Sequence, residues 1–162
     1  MTLAELEVSG GPFTIRKAEA SDVASIIGLL AADQLRASVE SIAIEDRHPY
    51  DLAFQAIDAD PAQLLVAVVS TVNEVVATMQ LTFIPGLARA GAIRMQIEAV
   101  RVRSNLRSNG LGGAMIKWAI AEGRRRGAGL VQLTSDESRV EAHRFYERLG
   151  FEPSHVGFKL SL

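Results

Sequence analysis

Residue type and spacing first suggest chemistry in the stretch Val102-Arg103-Ser104-Asn105-Leu106-Arg107-Ser108-Asn109-Gly110-Leu111-Gly112-Gly113. A strand-like run ends at Val102, and a helical pattern begins just after the glycines. Glycines let backbone N–H groups come close to a ligand, and the following helix aims the positive end of its dipole at the same point. This is a cradle suited to phosphate. The local charge agrees, because residues 101 to 126 hold seven basic side chains (Arg101, Arg103, Arg107, Lys117, Arg124, Arg125 and Arg126) against one acid, Glu122. Spacing then separates the phosphate ligands. A nucleotide P-loop requires G-x-x-x-x-G-K-[ST], and no Lys-Ser/Thr pair follows these glycines. A dinucleotide site requires G-x-G-x-x-G with an acid about 20 residues on. Gly110-Leu111-Gly112 begins that pattern, Met115 stands where its third glycine belongs, and Asp136 lies near the right distance, so a dinucleotide remains the second reading.

Composition bounds what such a turn can serve. The chain has 162 residues, 48% of them apolar, a formal net charge of −2 and no cysteine. That length suits one domain over residues 1–162 with a single core. Without cysteine there is no disulfide, no thiolate metal site and no covalent thioester on the protein, so any acyl chemistry must bring its own sulfur. The near-neutral balance gives no overall pull toward nucleic acid. No apolar run is long enough to span a membrane, and the N-terminal residues lack a basic region before an apolar stretch, so the expected compartment is the cytoplasm. His48, His143 and His155 show no spacing that suggests a metal site, and none is expected.

The elements that must position the turn can be read in outline. Phe13 to Ala18 reads as the first strand, followed by a helix capped at Ser21-Asp22 and carrying Ile26, Ile27, Leu29 and Leu30. Asp33 to Pro49 is irregular and is expected to be mobile and to face a substrate, leading into a short helix around Tyr50 to Ile57 that Asp60-Pro61 ends. Leu64 to Ser70 and Glu74 to Phe83 form a hairpin. Ile93 to Val102 is a strand with Met95, Ile97 and Ala99 on one face and Gln96, Glu98, Val100 and Val102 on the other. After the glycine turn a helix runs to about Arg126 with Met115 and Trp118 in its core. Leu130 to Thr134 is a strand, Ser138 to Leu149 a helix, and Glu152 to Leu160 a last strand. The expected fold is α/β, a mixed and mostly antiparallel sheet flanked by helices.

Read as Arg107-x-x-Gly110-x-Gly112, the turn resembles the R/Q-x-x-G-x-G/A signature of the GNAT superfamily of acetyl-CoA-dependent N-acyltransferases. His143-Arg144-Phe145-Tyr146-Glu147-Arg148-Leu149-Gly150-Phe151 is similar to that family's C-terminal helix and the junction after it, and Phe13 to Ala18 with Ser21-Asp22 to its beginning. The resemblance covers nearly the whole chain. It implies a GNAT-like acyl-CoA fold and acetyl-CoA as co-substrate, with the pantetheine arm on backbone groups of Val100, Arg101 and Val102. The pyrophosphate would lie on backbone N–H groups from Ser108 through Asn109, Gly110, Leu111 and Gly112 to Gly113, with Arg107 and neighbouring basic side chains near the phosphates. Arg124, Arg125 and Arg126 are further candidates for the phosphates, although basic residues also suit a solvated helix end. Where many members carry an Asn that contacts the cofactor, this chain has Arg139, a residue suited to a phosphate or to an anionic group of the substrate. The segments Gln132 to Ser135 and Ser154 to Phe158 are similar to the branch that contains aminoalkylphosphonate N-acetyltransferases.

The resemblance implies attack of a small-molecule primary amine on the thioester in a ternary complex. Such an amine, with a pKa near 10, must first lose a proton. Glu98 is the expected base, through water. Tyr146 matches the family's general acid, which protonates the departing thiolate. A protein or peptide amine as acceptor, and a non-catalytic acyl-CoA sensor, are the alternatives, and the family suggests a homodimer.

Overall fold

The computed structural model describes residues 1–32 and 46–162. Six strands form one sheet in chain order: β1 (Thr2–Val8), β2 (Gly11–Lys17), β3 (Gln63–Val69), β4 (Val75–Ile84), β5 (Ile93–Val102) and β6 (Ala128–Leu133). Neighbours are antiparallel except β5 and β6, which are parallel. Four of the five described α-helices pack on it, α1 (Val23–Ala31), α2 (His48–Ala59), α3 (Leu111–Arg125) and α4 (Val140–Arg148); the fifth is a four-residue turn, Ala88–Gly91, between β4 and β5. This is the expected mixed, mostly antiparallel α/β architecture. Among the described residues no helix is long and apolar enough to cross a membrane.

The central strands explain why their sequence is apolar without alternation. Val66 and Val68 of β3 face α3 together with Met79, Leu81, Met95, Leu111, Met115 and Ile116, all buried. Ala67 and Val69 on the opposite face pack with Ile26 of α1 and, at its margin, Phe54 of α2. A strand covered on both faces has no polar side to show.

Several expectations are corrected. A strand, β1, precedes the one expected to be first; its Leu and Glu residues pair with β2 across the Ser9-Gly10 turn, and Gly11 takes the positive φ of 106° that this turn needs. Entry to α1 is fastened not by Ser21 but by Asp22, whose Oδ2 accepts the Glu19 N–H at 2.8 Å. The expected mobile region falls mostly outside the described residues; His48 and Pro49, at its end, open α2. Glu152 to Leu160 forms no strand: from Phe151 onward the chain is neither helix nor strand.

The face assignment in β5 also changes midway. Gln80 pairs with Glu98 but Thr78 with Arg101, so β5 carries one extra residue here, at Ala99, which has φ 52°. Such a bulge moves every later side chain to the other face. Val102 therefore joins the Met95 and Ile97 side, packed on the core, while Arg101 joins Glu98.

Candidate active site

β5 outruns its parallel neighbour. Its last partner on β6 is Ile97 opposite Leu133, whereas on the other side it stays paired with β4 to Val102. Residues 98–102 therefore have no strand beside them on the β6 side, and this gap beyond Leu133 is the V of the site. Of the three residues whose backbone groups are expected to line this gap, two have carbonyls that already accept from guanidinium groups. Val100 O takes Arg101 Nη1 at 2.8 Å, and Val102 O takes Arg107 Nε at 3.3 Å.

The chain leaves the V through a 3-10 turn, Ser104–Leu106, and reaches the glycines with two left-handed residues, Ser108 (φ 68°) and Gly110 (φ 84°). Gly110 is the N-cap of α3 and offers no side-chain cap, so α3 begins with its first N–H groups, those of Leu111, Gly112 and Gly113, unclaimed by the helix; the first helical bond is Ala114 N–H to Gly110 O at 3.0 Å. Leu111 contributes only its backbone here, because its side chain is buried. Asn109 leans the other way, against Gly10 of the β1–β2 turn.

Three elements meet at Gly112. A Cβ built there would lie 3.6 Å from Phe145 Cζ of α4 and 3.8 Å from Val102 Cγ2 of β5. Phe145 in turn holds the Tyr146 ring edge-on at 5.1 Å, and Phe151 closes the other side at 5.8 Å. Burial pushes the Tyr146 phenol above its ordinary pKa, partly offset by the positive charges of Arg101 and Arg139 nearby. Arg139 is the N-cap of α4, reached through a turn in which Asp136 Oδ1 accepts from the Ser138 hydroxyl at 2.6 Å and from the Ser138 N–H at 3.0 Å. The turn, the end of β5, Tyr146 and two arginines thus gather around the mouth of the V.

Glu98 is exposed at the base of the open segment, next to Gln80 on β4. It heads a strip of polar side chains on the face opposite α3. Thr82 Oγ1 and Gln80 Nε2 donate to Gln63 Oε1 at 2.8 and 2.9 Å, and Gln132 Nε2 donates to Gln96 Oε1 at 2.7 Å. Beside the turn lies a cleft of about 300 Å³ lined by Gly28, Leu29, Val102, Arg103, Ser104 and Arg107. A second recess of about 330 Å³, between Thr2 and Trp118, lies away from these groups.

Residues 27–151 match the model of the acetyltransferase (GNAT) family. The chain belongs to that family. A curated relative, an aminoalkylphosphonate N-acetyltransferase of Salmonella typhimurium, is 36% identical over 67 residues, 41% of this chain and 44% of the relative, so the match spans under half of either. Among solved structures, a protein from Bacillus halodurans titled a transcriptional regulator is 37% identical, with TM-score 0.88 over 93% of this chain and 99% of that one. Glucosamine-6-phosphate N-acetyltransferase of Arabidopsis thaliana, 21% identical with TM-score 0.71 over 92% and 97% of the two chains, shares the fold. GNAT membership and the relative's name support the expected acyltransferase class.

Not every basic residue of the segment reaches the GNAT turn. Arg125 and Arg126 bind Glu122 at 2.7 and 2.8 Å, and Arg126 also lies 4.5 Å over the Phe83 ring. They sit at the far end of α3, about 20 Å from the glycines at 1.5 Å per residue. Arg103 is held to Glu74 at 2.9 Å and to Val75 O at 2.8 Å. The amide strip has little signal in the sequence beyond Thr78, Gln80 and Thr82 at alternate positions of β4, because β3, β5 and β6 each contribute a single glutamine, Gln63, Gln96 and Gln132.

Proposed function

We propose that the protein is an N-acetyltransferase that moves the acetyl group of acetyl-CoA directly to a primary amine of a small molecule. The observation that carries this reading is the uncapped start of α3 set at the V between β5 and β6, one side-chain contact from Tyr146. The turn fits a pyrophosphate: its N–H groups are unclaimed by the helix, Gly110 and Gly113 have open space where a Cβ would stand, and Arg107 is exposed beside them. Backbone of Ser108 to Gly113 would hold the phosphates, and residues 100–102 the pantetheine arm.

The amine nitrogen attacks the thioester carbonyl, a C–N bond forms and the C–S bond breaks. The proton shed by the amine passes through water to the Glu98 carboxylate, and the Tyr146 phenol gives its proton to the leaving sulfur and regains one from solvent. Burial supports the second role, because a phenol held above its ordinary pKa stays protonated at neutral pH. Arg101 and Arg139 beside Tyr146 favour an acceptor that carries an anion, in keeping with the aminophosphonate acceptor named for the Salmonella relative.

Release of CoA thiol tests the reading over a panel of aminophosphonates, amino acids, polyamines, aminoglycosides and a peptide. Release with a small amine is expected; release with the peptide alone would replace the acceptor. A second reading, an acyl-CoA sensor, is favoured by the similar Bacillus protein, which is named a transcriptional regulator. It would be upheld by calorimetric binding of acetyl-CoA with no thiol release from any amine. Glu98→Gln is expected to lower kcat about 100-fold and to flatten its rise with pH; an unaltered profile dismisses Glu98 as the base. At Gly112 the space allows one methyl and little more. Gly112→Ala should bind acetyl-CoA as the parent does, and Gly112→Val, which must displace Phe145 or Val102, should bind about tenfold more weakly by calorimetry. Equal affinities would remove the turn from the site.

A further inference from the structure

Arg94, Gln96 and Glu98 are alternate residues of β5 ahead of its bulge, so their side chains leave the same face of the sheet, the one opposite Met95, Ile97 and α3. Arg94 stands at the end of this row away from the V, with Ile84 of β4 and Leu130 of β6 as its cross-strand neighbours. It is half-buried, and yet among the described residues it makes no hydrogen bond and no ion pair. The other half-buried basic residues are engaged: Arg16 by Asp22, Lys17 by Asp58, Arg103 by Glu74, Arg126 by Glu122 and Arg101 by Val100 O, while Arg139 feels the Asp136 carboxylate. At about 3.3 Å per residue the Cα atoms of Arg94 and Glu98 are about 13 Å apart, and their side chains do not pair. A guanidinium between aliphatic neighbours, short of water and with no counter-ion, is a ready partner for an anion.

Between the two charges the amide side chains hold one another. Gln63 Oε1 accepts from both Gln80 and Thr82, and Gln96 Oε1 accepts from Gln132. These bonds leave the amide N–H groups of Gln63 and Gln96 and the carbonyl oxygens of Gln80 and Gln132 for a ligand. Donors and acceptors side by side suit amide or hydroxyl groups and give little to a bare methylene chain. Because the row is fixed by its own bonds, less order has to be imposed when a ligand arrives.

We infer that the acceptor lies along this row with its anionic group on Arg94, so that the substrate is a primary amine joined through amide or hydroxyl groups to a distal carboxylate or phosphonate. This placement rests on the proposed transfer, which puts the amine at Glu98. Arg101 and Arg139, beside Tyr146, stay at the amine end, where only the anion of a short acceptor would lie. An aminoethylphosphonate, about 4 Å from nitrogen to phosphorus at bond lengths of about 1.5 Å, is too short to occupy both ends of the row.

Calorimetry on the whole chain saturated with CoA, which has no acetyl group to give, reads acceptor binding without turnover. Three probes are compared: aminoethylphosphonate, aminopentylphosphonate and β-alanylaminomethylphosphonate, the last two equal in length and differing in the amide. The amide probe should bind most tightly, about tenfold more so than aminopentylphosphonate, and aminoethylphosphonate least. Arg94→Gln should weaken the amide probe about 30-fold and aminoethylphosphonate less than about threefold, Arg94→Lys should recover part of the loss, and Gln96→Leu should erase the advantage of the amide probe over aminopentylphosphonate. Aminoethylphosphonate binding as tightly as the longer probes on the parent, a comparison that needs no variant, overturns the inference. So does an Arg94→Gln variant that weakens long and short probes by the same factor or weakens neither. Thiol release from acetyl-CoA is scored apart from binding. The expected order of affinities with no release would keep Arg94 as the anion contact of a sensor and end the transferase reading, whereas release fastest with aminoethylphosphonate would keep that reading and end the inference.

Discussion

Tyr146→Phe is expected to lower kcat by up to about 10⁴-fold while leaving acetyl-CoA affinity and thermal stability close to those of the parent. The substitution removes one oxygen and keeps the ring, so both edge-on contacts, with Phe145 at 5.1 Å and Phe151 at 5.8 Å, survive, as does the packing of α4 on the core. What is lost under the proposed mechanism is the proton for the leaving sulfur. A thiol of pKa near 8.5 leaves as an anion if need be, so some rate should remain, and it should be greatest with the most basic amines. The pH profile separates a proton donor from a packing residue. The phenol is pushed up by burial, against the pull of Arg101 and Arg139. Its protonated form therefore persists through the neutral range, and the parent should lose activity only above the ordinary tyrosine pKa of about 10. The Phe variant should lack that alkaline fall. A variant with parental kcat, or with the same alkaline limb, dismisses Tyr146 as the acid.

The site was legible where one local signal sufficed. The glycine turn, the strand that ends at Val102 and the Phe145-Tyr146 helix are each short segments whose meaning lies in their own residues, and β5 has the bounds read from its sequence. What the sequence could not reveal was pairing. The bulge at Ala99 depends on β4 lying opposite, and nothing in Glu98-Ala99-Val100-Arg101 marks an inserted residue, since alanine is not the residue expected at positive φ. Simple alternation therefore sets Val102 on the face of Glu98, whereas the bulge turns Val102 to the core and gives its place beside Glu98 to Arg101. The Leu and Glu alternation of β1 and the Ser9-Gly10-Gly11 turn are the local signal of a hairpin, which the structure forms between β1 and β2. At the other end, the alternation from Glu152 to Leu160 states that these residues suit a sheet without stating whose. The run Arg124 to Arg126 shows the same limit for charge: only folding reveals that Glu122 engages two of the three.

The cleft beside the turn owes one wall to α1, and α1 is fastened by the most buried ion pair of the described residues. Arg16 and Asp22 have side chains only 13% and 6% exposed, joined by two hydrogen bonds of 2.6 and 2.9 Å. Asp22 Oδ2 also accepts the Glu19 N–H. Burial alone would raise the Asp22 pKa, but the Arg16 hydrogen bonds and the Glu19 N–H outweigh it, and the net shift is downward. A carboxylate whose folded pKa lies below its unfolded value of about 3.9 contributes stability that is whole above that value and is lost as pH falls through the folded one. Asp22→Asn leaves Arg16 as a charge with little solvent and no counterion on this side, and should cost about 3–5 kcal/mol at pH 7, read from urea unfolding. The gap between parent and variant should close as the medium is acidified from pH 4 toward pH 2, because the parent then protonates the same group. A cost below 1 kcal/mol at pH 7, or a gap that persists at pH 2, would refute this account. Replacing both partners, Arg16→Met with Asp22→Leu, removes the stranded charge and should recover most of the loss. That double variant also separates fold from site: Gly28 and Leu29, one and a half turns along α1, line the cleft with Arg103 and Arg107. Stability restored together with acetyl-CoA binding would assign the pair to holding α1 in place, with no direct part in the site.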